Sequence, residues 1–432
     1  MQAIINFLFN HTPLFYWTQS LWRDEAFSVW IAQDSWFEVI KRTSGDFNPP
    51  LYYLLLNVWM RLFGRSEIAL RGLSIFFFLL FLLVIYYFAL RLFKTQRFAV
   101  VTTLFTAFNP MLLYFAFELR MYSLLVLLST LSMYFLWTKK WRWHVLVTTL
   151  GLYTQPYMLF VLAAQNSYLL TSRQLKRAII QSAAVFLLFL PWVPTLLTQL
   201  KDSGPMWMYP IDLNLIQSVL GNIFLAYEGT PGNLWWVMKL VSLTLLLVTF
   251  WLWRQKHKKR EFQLFTCWTF LPIVAVLIIS LVKPLYVHRY LIYCTVGEIF
   301  LLVYFLTTIK NVRLQKILSL TCLLLLIVAN VWTVAFHRKT PIRNTFAEIN
   351  TLLKPGDLVY AASPLIFYEA LYYTTAPVFL YNPERITMPR YVGSVGMPPE
   401  TWAREFSRFP NRAFTIAENG SYTINSIVIK SL

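Results

Sequence analysis

Charge is the scarcest thing in this sequence: only 13% of its 432 residues are Asp, Glu, Lys or Arg, and 58% are hydrophobic. Soluble domains carry about 25% charged residues, so this composition excludes an ordinary water-soluble enzyme or binding domain and, with it, a disordered scaffold. Cysteine is nearly absent. The three present, Cys267, Cys294 and Cys322, all lie inside apolar runs, which excludes a disulfide framework and a Cys metal centre. Glycine is sparse too, at 13 residues, and there is neither a P-loop nor a Gly-rich dinucleotide fingerprint, so cytosolic nucleotide chemistry has no support. The five histidines, His11, His144, His257, His288 and His337, are scattered, and no zinc-type pair such as His-x-x-Glu-His occurs.

Aromatic residues and long apolar runs are what the chain has, with 18% Phe, Trp and Tyr and a mean hydropathy of +0.54. About 20 apolar residues suffice for a transmembrane helix. Full-length spans are expected near residues 68–93, 97–117, 120–138, 178–199, 234–253, 263–282, 289–308 and 317–336. The stretch 143–171 splits at Thr154-Gln155-Pro156-Tyr157, because a proline inside a helix removes a hydrogen bond and clashes with the preceding turn. Residues 1–18 lack the basic start and cleavage site of a signal peptide and are read as a short first span. The sum is about eleven helices.

The net charge of +19 would suggest nucleic acid in a soluble protein. Here its distribution sets orientation instead. With a cytoplasmic N-terminus, the inner loops are Arg91–Arg97, Lys139–Arg142, Arg173–Arg177, Arg254–Arg260 and Lys310–Lys316, each with at least three Lys or Arg. The opposite loops collect Asp24, Glu25, Asp34, Glu38, Asp46, Glu67, Asp202, Asp212 and Glu228. The outer loop 19–67 contains two amphipathic segments, 26–42 and 51–63, too short to cross and suited to lie at the surface. A second outer loop, 200–233, is rich in turn formers (Gly204-Pro205, Gly229, Pro231-Gly232).

From 337 onward polar residues return. A helix over 345–353, strands at 357–362, 378–381, 412–417 and 424–430, and a helix over 367–374 suggest a small α/β domain on the outer side. The expected architecture is a polytopic α-helical membrane protein, residues 1–336, followed by an extracytoplasmic α/β domain, residues 337–432.

Ionisable groups near hydrocarbon are costly, so those that occur there are functional candidates. Asp24 and Glu25, beside Trp22 and Arg23, can serve as a general base or base plus metal ligand, though their spacing alone reads first as helix-start acids complementing the dipole. Asp46-Phe47-Asn48-Pro49-Pro50-Leu51-Tyr52-Tyr53 reads first as a helix start. Glu118-Leu119-Arg120-Met121-Tyr122 offers an arginine fork suited to phosphate, or a structural ion pair. Lys283 together with His288-Arg289-Tyr290 suits a phosphate clamp or an interfacial belt. Glu298 lies inside a span, and its residue type alone assigns it no role.

Taken together, Trp22-Arg23-Asp24-Glu25, Asn48-Pro49-Pro50-Leu51-Tyr52-Tyr53, Glu118-Leu119-Arg120-Met121-Tyr122 and His288-Arg289-Tyr290 resemble motifs of the bacterial membrane glycosyltransferases of the GT-C fold. The nearest group is the protein O-mannosyltransferase-like one (glycosyltransferase family 39), which includes the lipid A aminoarabinose transferases. The resemblance runs over roughly residues 15–310. It implies a hexosyl- or pentosyltransferase of the plasma (inner) membrane that takes a sugar from a polyprenyl-phosphate donor at the outer face, with inversion. The acceptor would be a glycolipid, a cell-envelope polysaccharide or a protein; the lipid bilayer is the other partner, and no nucleic acid is involved.

The resemblance also implies site residues. The family's catalytic acid falls on Asp24, with Glu25 beside it. Donor phosphate and sugar contacts fall on Arg120, Glu118, Tyr122, His288, Arg289, Tyr290, Asn48 and Tyr52. No cofactor is certain: a divalent cation on Asp24 and Glu25 is a candidate that two neighbouring acids do not establish. Two departures stand out, Asn48 where the family usually has His before Pro-Pro, and a first span shorter than the family's, as expected if the true start lies upstream of Met1. The competing class is a flippase or exporter of lipid-linked sugars. Such transporters favour repeats and midplane charges, whereas here charges gather at one face. Asn419-Gly420-Ser421 also matches a glycosylation sequon.

Overall fold

The computed structural model describes residues 2–201, 208, 210–226, 234–255 and 260–428. Of the expectations above, Asp202, Gly204-Pro205, Glu228, Gly229, Pro231-Gly232, part of the basic loop at 254–260 with His257, and the end of the last strand lie outside the described residues. The chain divides into two compact units: Met1–Phe15, Arg71–Pro194 and Trp207–Phe336 form the first, and Tyr16–Leu70, Thr195–Met206 and His337–Leu432 the second.

The first unit is a helical bundle. Six helices among the described residues are long and apolar enough to cross a membrane: Glu67–Phe93, Leu175–Lys201, Trp235–Arg254, Arg260–Ser280, His288–Thr308 and Val312–Thr333. This is a multi-pass membrane protein. The expected span 97–117 is a pair of helices, Gln96–Ala107 and Pro110–Ala116, bent by 63°. The reason is local: Pro110 has no N–H to give the preceding turn. Asn109 caps the new helix by accepting from the Leu112 N–H at 3.1 Å. The split at Pro156 occurs as expected, between Trp141–Thr154 and Met158–Thr171. Those two helices, Tyr122–Trp137 at 16 residues and the N-terminal Gln2–His11 at 10 residues, together with the bent pair, account for the difference between six and a count of eleven. At about 1.5 Å per residue, Gln2–His11 rises only half a hydrocarbon thickness.

A second departure is in the segment 200–233, expected as a loop. Residues Leu213–Leu225 form a helix capped by Asp212, which accepts from the Leu215 N–H at 2.7 Å. It packs on Trp235–Arg254 so closely that a Cβ on Gly221 would sit 2.2 Å from the Met238 carbonyl oxygen. Only glycine permits that approach. Polar glue appears elsewhere in the bundle. Buried His144 lies 3.1 Å from Gln165 Oε1 and 3.2 Å from Gln181 Oε1, and Gln165 donates to Ser132 at 2.6 Å. That histidine is a core residue.

In the second unit a five-stranded sheet runs in the order β3-β2-β1-β4-β5, with β1 Leu358–Ala361, β2 Val378–Tyr381, β3 Trp402–Ala403, β4 Ala413–Ile416 and β5 Tyr422–Asn425. The first three neighbour pairs are parallel and β4–β5 is antiparallel. The two-residue β3 is too short to show a period. The last strand starts two residues earlier than expected because Asn419-Gly420-Ser421 forms the hairpin turn. Gly420 has φ +83° and Asn419 Oδ1 accepts from the Ser421 N–H at 3.0 Å. The helix Ile342–Leu352 buries Ile342, Phe346 and Ile349, one stripe at helical spacing.

The segment 16–70 includes the helices Arg23–Ala32, Trp36–Gly45 and Leu51–Phe63. The expected helix 26–42 is therefore two, divided where Ser35 accepts from the Glu38 N–H and starts a new helix. Glu25 fixes the start of the first. Its Oε2 accepts from the Trp22 N–H at 3.3 Å, half of a capping box, and from Lys339 Nζ at 2.9 Å. Both partners of this ion pair are buried, with side chains 0% and 9% exposed. Glu25→Gln would strand the Lys339 charge, and the expected loss is about 3–5 kcal/mol, seen as a lowered unfolding midpoint in detergent. The pair Glu25→Leu with Lys339→Met should recover most of it; a double variant as unstable as the single would show that the ion pair does not matter.

Candidate functional site

The candidate residues form two clusters, one in each unit. In the second unit, Asp24 and Glu25 occupy the first turn of Arg23–Ala32, where the positive end of the helix dipole favours acids. Their environments differ. Asp24 keeps 14% of its side chain exposed and is held by Arg23, whose Nη2 lies 3.0 Å from Oδ1. Glu25 is wholly buried and engaged with Lys339 and its own helix start. Lys339 Nζ also stands 5.5 Å from the centre of the Trp22 ring.

A third acid joins them that sequence reasoning did not single out. Glu369, on the helix Phe367–Tyr373, is 7% exposed. Burial pushes its carboxyl up to about 8; Glu25 and Asp24 add to the rise, and Arg23 and Lys339 oppose it. The available signal was a lone acid inside an otherwise apolar and aromatic stretch, Ile366-Phe367-Tyr368-Glu369-Ala370-Leu371. Its nearness to Asp24 is a tertiary fact. Among the described residues no three His, Cys, Asp or Glu side chains are arranged to hold a metal ion. Glu25, considered as a ligand with Asp24, pairs with Lys339 at 2.9 Å.

Asn48 and Tyr52 belong to the same unit. Asn48 donates from Nδ2 to Asp46 Oδ2 at 3.0 Å, in the turn that leads into Leu51–Phe63. Tyr52 is fully buried, edge-on to Tyr53 with centroids 5.6 Å apart. Tyr368 feels the Asp46 charge and packs edge-on to Phe27 at 4.8 Å.

The other cluster lies in the first unit, and Tyr122 is its hub. Arg289, Arg120, Glu118 and Tyr290 all act electrostatically on the Tyr122 hydroxyl. The Phe115 ring sits 4.6 Å from Tyr122 and 6.3 Å from His288. Tyr290 stacks on Tyr122 at 6.4 Å and lies tilted against Tyr157 at 4.9 Å. Local structure explains the convergence. The chain turns at 117–121 between Pro110–Ala116 and Tyr122–Trp137, so Glu118 and Arg120 escape helical spacing. Ser74 Oγ donates to the Glu118 carbonyl at 2.6 Å and fixes that turn. A 3₁₀ turn at His288–Leu291 does the same for His288 and Arg289. Glu118, Arg120, His288 and Arg289 are all buried, with exposures between 2% and 8%. Two guanidinium groups against the single carboxylate of Glu118, with two tyrosines and an imidazole beside them, leave the cluster with an excess of cations, an arrangement that can hold an anion such as a phosphate.

Glu369 generates a pH test. Its folded-state value, about 8, exceeds the ordinary 4.5, so the native state holds the proton more tightly. The stabilising contribution is complete below pH 4.5 and is lost as pH rises through about 8. Glu369→Gln should therefore raise the unfolding midpoint over wild type at about pH 8.5 and change little at about pH 5. A midpoint difference independent of pH would contradict the burial of a neutral acid.

A family model described as Dolichyl-phosphate-mannose-protein mannosyltransferase matches residues 48–197. No curated protein matches the chain by sequence. Among solved structures, ArnT from Cupriavidus metallidurans in the apo state superposes with a TM-score of 0.62 at 13% identity, covering 96% of this chain and 91% of that one. The same protein bound to undecaprenyl phosphate gives 0.63 at 13% identity, covering 96% and 93%. The resemblance to GT-C mannosyltransferase-like proteins is thus supported by a family match over residues 48–197, which includes two of the four motifs, and the chain carries an ArnT-like fold over nearly its whole length.

Proposed function

We propose that this protein is a glycosyltransferase of the plasma (inner) membrane, transferring a sugar from a polyprenyl-phosphate donor to a glycolipid, polysaccharide or protein acceptor on the outer face. The observation that carries the reading is the buried cluster of Arg120, Arg289, His288 and Tyr122 in a fold whose solved relative binds undecaprenyl phosphate. Basic inner loops and acidic outer ones support an outward-facing C-terminal domain.

The chemistry follows from what each end of the reaction needs. The leaving group is a phosphate, already stable as an anion, so it needs charge neutralisation rather than a proton. Arg120 and Arg289 are assigned that task, and their fixed forks cost no reorganisation when charge develops. The acceptor hydroxyl has a high pKa and needs a base. Asp24 is assigned that role because it is the partly exposed acid of its cluster, with Arg23 orienting it. Glu25, buried on Lys339, is a positioning residue: it holds the helix start that carries Asp24. Direct displacement by the deprotonated acceptor inverts the anomeric centre.

Asp24→Asn keeps size and polarity but removes the base. Transfer should fall by about 10²–10⁴-fold while donor binding stays near wild type; full activity in a correctly inserted protein rules out the assignment. Arg289→Lys and Arg120→Lys should each raise KM for the lipid donor by roughly tenfold or more, because a lysine keeps the charge but loses the bidentate fork. Unchanged donor KM in both would move the phosphate site elsewhere.

A further inference from the structure

The second unit contains a pocket of about 630 Å³ that does not include Asp24. Its size lies in the range typical of small-molecule sites, about 300–1,000 Å³. One wall is the helix Arg23–Ala32 and the residue after it. At about 100° per residue, Ala26, Val29, Trp30 and Gln33, which line the pocket, fall on the face opposite Asp24. The pocket is therefore a place apart from the acid assigned to catalysis. Another wall is the helix Phe367–Tyr373, which presents Tyr368 and Tyr372.

The third side is the turn Arg65-Ser66-Glu67. Tyr372 Oη donates to the Arg65 carbonyl and holds this turn in place. Glu67 is already committed, accepting from Arg343 and from Tyr373. Arg65 is not comparably engaged: its guanidinium makes one long contact, 3.4 Å, to the Gln33 carbonyl. The lining combines flat aromatic surface, amide and hydroxyl groups and an excess of one cation. Such a set suits a ring bearing hydroxyls and an anionic group.

The surroundings place it in relation to lipid. Leu62, Phe63 and Ile68, which flank the turn on both sides, are 70%, 57% and 52% exposed. Trp59 donates to the Ala69 carbonyl at 2.7 Å and Trp17 to the Ile68 carbonyl at 3.2 Å. Exposed aliphatics beside anchored tryptophans and an arginine are the pattern of a membrane–water boundary. We propose that this pocket binds a phosphorylated sugar or cyclitol ring, the chemistry of an anionic lipid headgroup or of a free sugar phosphate, with Arg65 on the phosphate and Trp30 and Tyr372 against the ring. The site does not depend on the catalytic assignment of Asp24.

The test uses the full-length protein in phosphatidylcholine nanodiscs and saturation-transfer NMR with glucose 6-phosphate, glucose and inorganic phosphate. Glucose 6-phosphate should bind at least about tenfold more tightly than glucose, and Arg65→Glu should weaken it by a similar factor. Arg289→Ala, outside this pocket, should leave the Arg65-dependent part of the binding unchanged. If Arg65→Glu does not keep the wild-type unfolding midpoint, Arg65→Gln reads the same loss. Nanodiscs containing phosphatidylinositol 4-phosphate separate the sources: loss of glucose 6-phosphate binding there identifies a lipid headgroup, and retained binding a soluble ligand. Equal binding of glucose and glucose 6-phosphate, no effect of Arg65 variants, or no binding of any probe overturns the proposal.

Discussion

The ion pair of Glu25 with Lys339 is the constraint on which the second unit depends. It joins residues 314 positions apart and does so with almost no solvent access. A buried pair of this kind is weak evidence for net stability, because desolvation offsets much of the attraction. It is strong evidence for register, since neither charge tolerates being left alone. Around it the same unit ties Lys339 N–H to Gln19 at 3.1 Å, Arg343 N–H to Ser20 at 3.2 Å and Leu21 N–H to Tyr373 at 2.7 Å. The first turn of the helix Arg23–Ala32 is thereby set, and Asp24 with it.

The two adjacent acids sit in different environments. Sequence alone allowed Asp24 and Glu25 to be two catalytic groups, two metal ligands or two helix-start acids. The structure separates them by environment: Glu25 caps and pairs, while Asp24 keeps access and takes its orientation from Arg23. Glu369 completes the group as an acid whose burial favours the protonated form.

Much of the helical framework was legible because apolar length is a local property. The long helices fall within a few residues of their expected positions, and Pro156 divides its stretch as a proline should. Where the expectation missed, the signals were short. Asn109-Pro110 broke a span that hydropathy alone ran together, Ser35 divided a surface helix, and Leu213–Leu225 was hidden among turn formers. In the site, the motif at 118–122 and that at 288–290 were each ambiguous between ion pair, belt and phosphate clamp. Their meeting at Tyr122 is a consequence of two non-helical turns that no periodicity encodes. Glu369 and Lys339 were not found at all, because their significance is their distance from residues far back in the chain.

The central claim is that the outer face carries out transfer rather than transport. The direct measurement reconstitutes the protein in liposomes with a panel of radiolabelled polyprenyl-phosphate sugars and an acceptor extract, and follows both release of the sugar from its carrier and movement of the intact carrier across the bilayer. The account predicts release of one sugar, with the carrier phosphate left behind and no acceleration of carrier crossing. Accelerated crossing of an intact lipid-linked sugar, with no donor consumed by folded protein, would contradict it and identify a transporter.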